Sequence, residues 1–174
     1  INKGQNDIFQ YNYQDRLIVN MGYSYNYNSV GGSIVNNTIA SNSYSIRFNF
    51  ESAGNILYAL SKVANIRKND NGEYAILGIP YAQYLKGEFD FAKNIRIDHR
   101  NSFAFHVGLG IAVPYGNAKT IPFEKQYFSG GANSVRGWAV RDLGPGSFAG
   151  NGNLLDQSGD IKLDASIEYR SKLF

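Results

Sequence analysis

The sequence predicts an all-β protein, an antiparallel transmembrane β-barrel or a piece of one, and three observations carry that expectation. Apolar and polar residues alternate with period two through five long stretches of the 174-residue chain, a sorting that strands produce and helices do not. Several stretches run eleven to thirteen residues, whereas soluble strands usually run about five or six. Thirteen residues at about 3.3 Å each reach roughly 43 Å, enough to cross a bilayer core at a tilt of about 45°. The last stretch also gathers Asp160, Lys162, Asp164, Glu168, Arg170 and Lys172 on one face, so whatever lies behind that face has to be wet. A soluble antiparallel sheet with its polar face toward bulk water is the competing architecture.

The elements follow in order. Leu17, Val19, Met21, Tyr23, Tyr25 and Tyr27 alternate with polar or small residues, apart from Ile18, and predict the first strand. Gly31-Gly32 among Asn and Ser predicts a turn. Tyr44, Ile46, Phe48 and Phe50 against Ser45, Arg47, Asn49 and Glu51 predict the second strand. Residues 53–72 read as a loop. A third strand is expected over 74–92, with Leu85, Phe89 and Phe91 on one face and Pro80 near its start, where a missing ladder donor is tolerated. After a polar turn, Ile97 to Asn101, the fourth strand carries Phe103 to Val113 against Ser102, Ala104, His106, Gly108, Gly110 and Ala112. The fifth is the charged stretch from Asp160. Strand-end aromatics (Tyr23, Tyr25, Tyr27, Phe89, Phe91, Tyr115) suit interfacial girdles.

Composition excludes other classes. Hydrophobic residues make up 43% of the chain, but no run approaches the eighteen or so that a membrane-spanning helix requires. The net charge of +3 comes without a basic cluster, so no nucleic-acid partner is expected. With no cysteine, disulfides, zinc-thiolate sites and thiol catalysis fall away. His99 and His106, the two histidines, have no third ligand or nearby acid pattern, so neither a metal nor another cofactor is expected. Residues 130–137 lack the Gly-Lys-Ser/Thr of a phosphate loop, and Ser134 has no nucleophile elbow. The expectation is a protein that is not an enzyme.

Between the fourth and fifth strands lies a glycine-rich segment with Gly130, Gly131, Gly144 and Gly146, centred on Val135-Arg136-Gly137-Trp138. Its Trp, Phe and Tyr residues distinguish it from a flexible linker and predict a loop folded against something.

Phe128-Ser129-Gly130-Gly131 through Ser134-Val135-Arg136-Gly137-Trp138, then Leu143-Gly144-Pro145-Gly146, resembles the BamA/TamA family of outer-membrane assembly barrels, the surface-antigen family. The flanks Ile111 to Gly116 and Gly159 to Arg170 fit the adjoining strands of that family. Gly54 to Tyr58 and Ile79 to Tyr84 resemble its Bacteroidetes TamA-like branch. Trp138 departs from the usual Phe or Tyr and keeps the aromatic role.

The resemblance implies a sixteen-stranded barrel of the bacterial outer membrane, of which about five or six strands are present. Residues 1–174 would be part of one C-terminal barrel domain, with loop 114–158 folded into the lumen. Periplasmic domains and the remaining strands would lie outside this sequence. It implies that Arg136 meets an acid on the following strand, Glu168 first and Asp164 second, because a partly dehydrated guanidinium favours a carboxylate. The implied partners are outer-membrane lipids, unfolded outer-membrane protein precursors and other subunits of an assembly complex. A passive channel or two-partner-type secretion pore, and a soluble adhesive or ligand-binding β-domain, remain as alternatives.

Overall fold

The structure is a computed structural model describing residues 15–29, 42–69, 72–131, 134–144, 146 and 158–172. Its framework is a five-stranded sheet of β1 (Asn20–Asn28), β2 (Asn42–Ala53), β5 (Tyr84–Arg96), β6 (Asn101–Pro114) and β9 (Ile161–Ser171), in the order β1-β2-β5-β6-β9. Antiparallel alternation brings the start of β1, the end of β2, the start of β5, the end of β6 and the start of β9 to one end of the sheet. The long connections 54–83 and 115–160 both leave from that end. They carry four minor strands, β3 (Ala75–Ile76), β4 (Ile79–Pro80), β7 (Tyr127–Phe128) and β8 (Ser158–Gly159).

The chain falls into two units. One comprises Tyr23–Phe50, Gly87–Ile111 and Ile161–Phe174; the other comprises Ile1–Gly22, Glu51–Lys86 and Ala112–Asp160.

In the first unit, β6 and β9 pair from Asn101↔Ser171 to Ile111↔Ile161. The register puts Phe103 opposite Tyr169, Phe105 opposite Ile167 and Leu109 opposite Leu163. These apolar side chains face outward: Ile161 is 73% exposed, Leu163 72% and Ile167 70%. Lys162, Asp164 and Glu168, on the opposite face, are only half-exposed. This is the reverse of a water-soluble sheet, and a one-residue slip would exchange the two faces. The hairpin between β5 and β6 closes on Asp98, whose carboxylate accepts from the backbone amides of Arg100 at 2.7 Å and Asn101 at 2.8 Å.

In the second unit the expected loop over 53–72 is corrected: Asn55–Val63 forms helix α1. Gly54 enters it at φ 78°, with the Ala82 carbonyl where a Cβ would stand. Leu57 and Ser61 form its buried face, and the Ser61 hydroxyl donates to the Leu57 carbonyl at 2.8 Å. A serine at the inward position interrupts the apolar stripe, and nine residues are too few to reveal the 3.6 period.

The expected strand over 74–92 is also corrected. Residues 75–80 form the tight hairpin β3–β4, turning through Leu77 and Gly78 at φ 52° and 83°, and the long strand begins at Tyr84. Leu17 bridges Tyr81 instead of opening β1. Tyr115 donates its hydroxyl to Asn55, at the start of helix α1.

Candidate functional site

Connection 115–160 begins with a stem. Asn117, 5% exposed, acts as a splint: its amide nitrogen donates to the carbonyls of Tyr74 (2.9 Å) and Tyr81 (3.0 Å), and its side-chain oxygen accepts from the Tyr74 amide. Ile121 and Tyr127 then bury themselves against Ala53, Ala82, Tyr84 and Ala112. Ala53, Tyr84 and Ala112 lie in register with the polar residues of β2, β5 and β6, so the stem packs on the polar face. Between Ile121 and Tyr127, the 3-10 turn Phe123–Lys125 brings Lys125 Nζ within 2.8 Å of Glu51. Lys86 Nζ lies 4.3 Å from the Tyr127 ring centre and donates to the Lys125 carbonyl at 3.1 Å. Tyr127–Phe128 pairs with Ser158–Gly159, so the outgoing and returning chain meet.

Beyond the stem the chain folds on itself. Ser129 bridges Leu143, the Arg141 amide donates to the Ser129 carbonyl at 3.0 Å, and the Gly131 amide donates to the Trp138 carbonyl at 2.9 Å. Gly130 is required here twice over. Its φ is 97°, and a Cβ would collide with the Ala139 carbonyl. Gly131 lies against Val140, Gly137 and Gly146 take positive φ, and Gly144 is half-buried.

Val135, Arg136 and Trp138 are exposed at the tip, Trp138 by 50%. Arg141 is the cation stacked within the loop: its guanidinium lies 4.3 Å from the Phe123 ring and 4.9 Å from that of Phe128. Sequence reasoning singled out Arg136 and missed Arg141. Its aromatic partners stand well upstream, beyond any local spacing, and the only signal was the shared aromatic content of the segment.

Of the acids expected to serve the motif, Glu168 pairs with Arg170 at 2.9 Å, and Asp164 pairs with Lys162 at 2.9 Å. Asp164 also approaches His106 Nδ1 at 3.3 Å, while Asp90 approaches Nε2 at 3.3 Å. The histidine therefore has acids on both sides, which the sequence reading did not anticipate, because they come from β5 and β9. Gly108 makes room for them: a Cβ there would stand 2.7 Å from the Asp164 carboxylate and 3.2 Å from that of Asp90. Among the described residues no group of three or more His, Cys, Asp or Glu side chains is arranged to hold a metal ion.

The model of the Omp85 superfamily domain matches residues 4–174, almost the whole chain.

The chain belongs to the Omp85 superfamily.

It is thus a stretch of β-barrel from the bacterial outer membrane. The chain is similar to the outer membrane protein assembly factor BamA of Neisseria meningitidis serogroup B, at 38% identity over 60 residues. That stretch is 34% of this chain and 8% of the relative, so the chain corresponds to a small part of that protein's length.

Proposed function

We propose that this chain forms part of the wall and the lumen loop of a non-enzymatic barrel that assembles or translocates outer-membrane proteins. The inverted polarity of the sheet, with the motif-bearing loop rooted on its polar face, is the observation that supports this reading. The long connections 54–83 and 115–160 would be external, since outer-membrane barrels carry short turns on the periplasmic side and long loops outside. Unfolded barrel precursors are the proposed substrates, and outer-membrane lipids and further assembly subunits the proposed partners. Depleting the full-length protein should lower the outer-membrane content of other barrel proteins. An unchanged content, with loss of one exported passenger only, would favour a secretion pore instead.

Within this reading Arg136 holds the hairpin tip by pairing with Glu168, with Asp164 as the second choice. Breaking a well-buried pair of this kind costs about 3–5 kcal/mol, and water in the lumen reduces that. Arg136→Glu and Glu168→Arg should each impair assembly, and the double exchange should recover part of it. Failure of the exchange, together with recovery by Asp164→Arg, would move the contact to Asp164.

A further inference from the structure

The stem of the loop is seated by a residue that no motif marks. Glu51 stands near the end of β2 on its polar face and accepts from three directions. Asn20 Nδ2 of β1 lies 2.6 Å away, the Tyr84 hydroxyl of β5 donates to it, and Lys125 Nζ of the loop lies 2.8 Å away. The Glu51 and Lys125 side chains are 25% and 26% exposed, so the pair is largely withdrawn from water. Tyr84 is fully buried among Ile121 and Tyr127, which ties the acid to the apolar packing of the stem.

The charge pattern explains why an acid is required at this position. The turn Phe123–Lys125 is gripped twice, through the Lys125 side chain by Glu51 and through the Lys125 carbonyl by Lys86. Both Lys125 and Lys86 are cations, and both serve the same turn. With the Glu51 charge removed, one part-buried ammonium loses its carboxylate while a second remains nearby, and the turn is pushed off the strands. A neutral acceptor at 51 would keep the hydrogen bonds from Asn20 and Tyr84 and lose the balance of charge.

We infer that Glu51 is a positioning residue for the loop: it seats the stem on the barrel wall through Lys125, independently of the Arg136 motif. The contact itself stands on observed geometry, and its importance to the working barrel rests on the proposed function above. The seat implies that the hairpin tip can exchange partners while the stem stays in place.

The test uses the full-length protein, purified in detergent in a background with no other cysteine. Ala118→Cys in the stem, 6% exposed, serves as the reporter for maleimide labelling. Heat-modifiable migration confirms a closed barrel in every sample. Glu51→Lys and Lys125→Glu should each speed labelling about tenfold or more, the change in local opening expected from loss of one charged hydrogen bond. The exchanged pair should return labelling to about twice the parent rate or less, which a purely steric role for Glu51 would not do. Arg136→Ala should leave the stem protected.

Parent-like labelling in folded Glu51→Lys and Glu51→Gln proteins would overturn the inference, and so would exposure of the stem by Arg136→Ala. If the wall variants do not fold, Lys125→Met decides: faster labelling supports the seat and an unchanged rate overturns it. These outcomes are separate from the depletion experiment, so the seat can fail while the assembly reading stands, and the reverse.

Discussion

Along β9 each residue's surroundings follow from its neighbour's: Ile161 faces out, Lys162 in, Leu163 out, Asp164 in. Among the described residues of the loop from Asn117 to Leu143 nothing repeats. Asn117 is held by the backbone of Tyr74 and Tyr81, Lys125 by Glu51, and Arg141 by Phe123 and Phe128. A sheet with one apolar and one polar face imposes one rule on every residue, whereas the loop is specified by separate contacts between distant positions. Substitutions in the wall should therefore obey sidedness, and substitutions in the loop should obey the identity of particular partners.

The largest expected effect tests the wall. Ile167→Arg, on the apolar face, should destabilise the folded barrel by about 2–4 kcal/mol if that position is near the bilayer midplane. Ser166→Arg on the other face should cost far less, and refolding into lipid vesicles with urea titration measures both. Equal costs would break the sidedness of β9.

Next comes Gly130→Ala in the loop. Both the positive φ and the Ala139 carbonyl oppose a side chain, so opening of the hairpin should become easier by about 1–3 kcal/mol. Hydrogen exchange at the amides of Gly131 and Arg141 reads this locally, and the wall amides should not change. Arg141→Ala should cost about 0.5–2 kcal/mol in the same measurement, with Arg141→Lys between it and the parent.

The smallest effect belongs to the β5–β6 turn. The Asn101 side chain and the Arg100 and Asn101 amides hold the Asp98 carboxyl below its usual range. A lowered folded value means that the contribution is complete above the ordinary carboxylate value of about 3.9 and disappears as pH falls through the folded one. Amide protection of Arg100 and Asn101 should be flat from neutral pH to about 4 and fall below that, and Asp98→Ala should remove the dependence.

The same contrast explains what the sequence discloses. The five strands and their faces are legible because alternation is enforced at every position, and the superfamily match and the exposed apolar band agree with that reading. Helix α1 is not legible, because its inward face is Leu57 and Ser61 and its entry depends on the backbone of Gly54. Leu17 and residues 74–80 read as strand and leave the main sheet, because residues 75–76 pair with 79–80 in a hairpin of their own and Leu17 bridges Tyr81. In the loop, glycines and the Arg136 motif are visible as letters. Glu51 is visible only as one more polar-face residue of β2, and Lys125 and Arg141 have no periodic signature, since their partners lie far away along the chain.

The pairing of Tyr127–Phe128 with Ser158–Gly159 also gives the loop the layout of a cassette. The chain leaves the stem at Phe128 and re-enters it at Ser158, side by side. The wall strands therefore do not register how much chain lies beyond it. Lineages could lengthen, shorten or diversify that excursion without re-tailoring the barrel, and a grafted epitope there would be carried on a stalk already closed at its base.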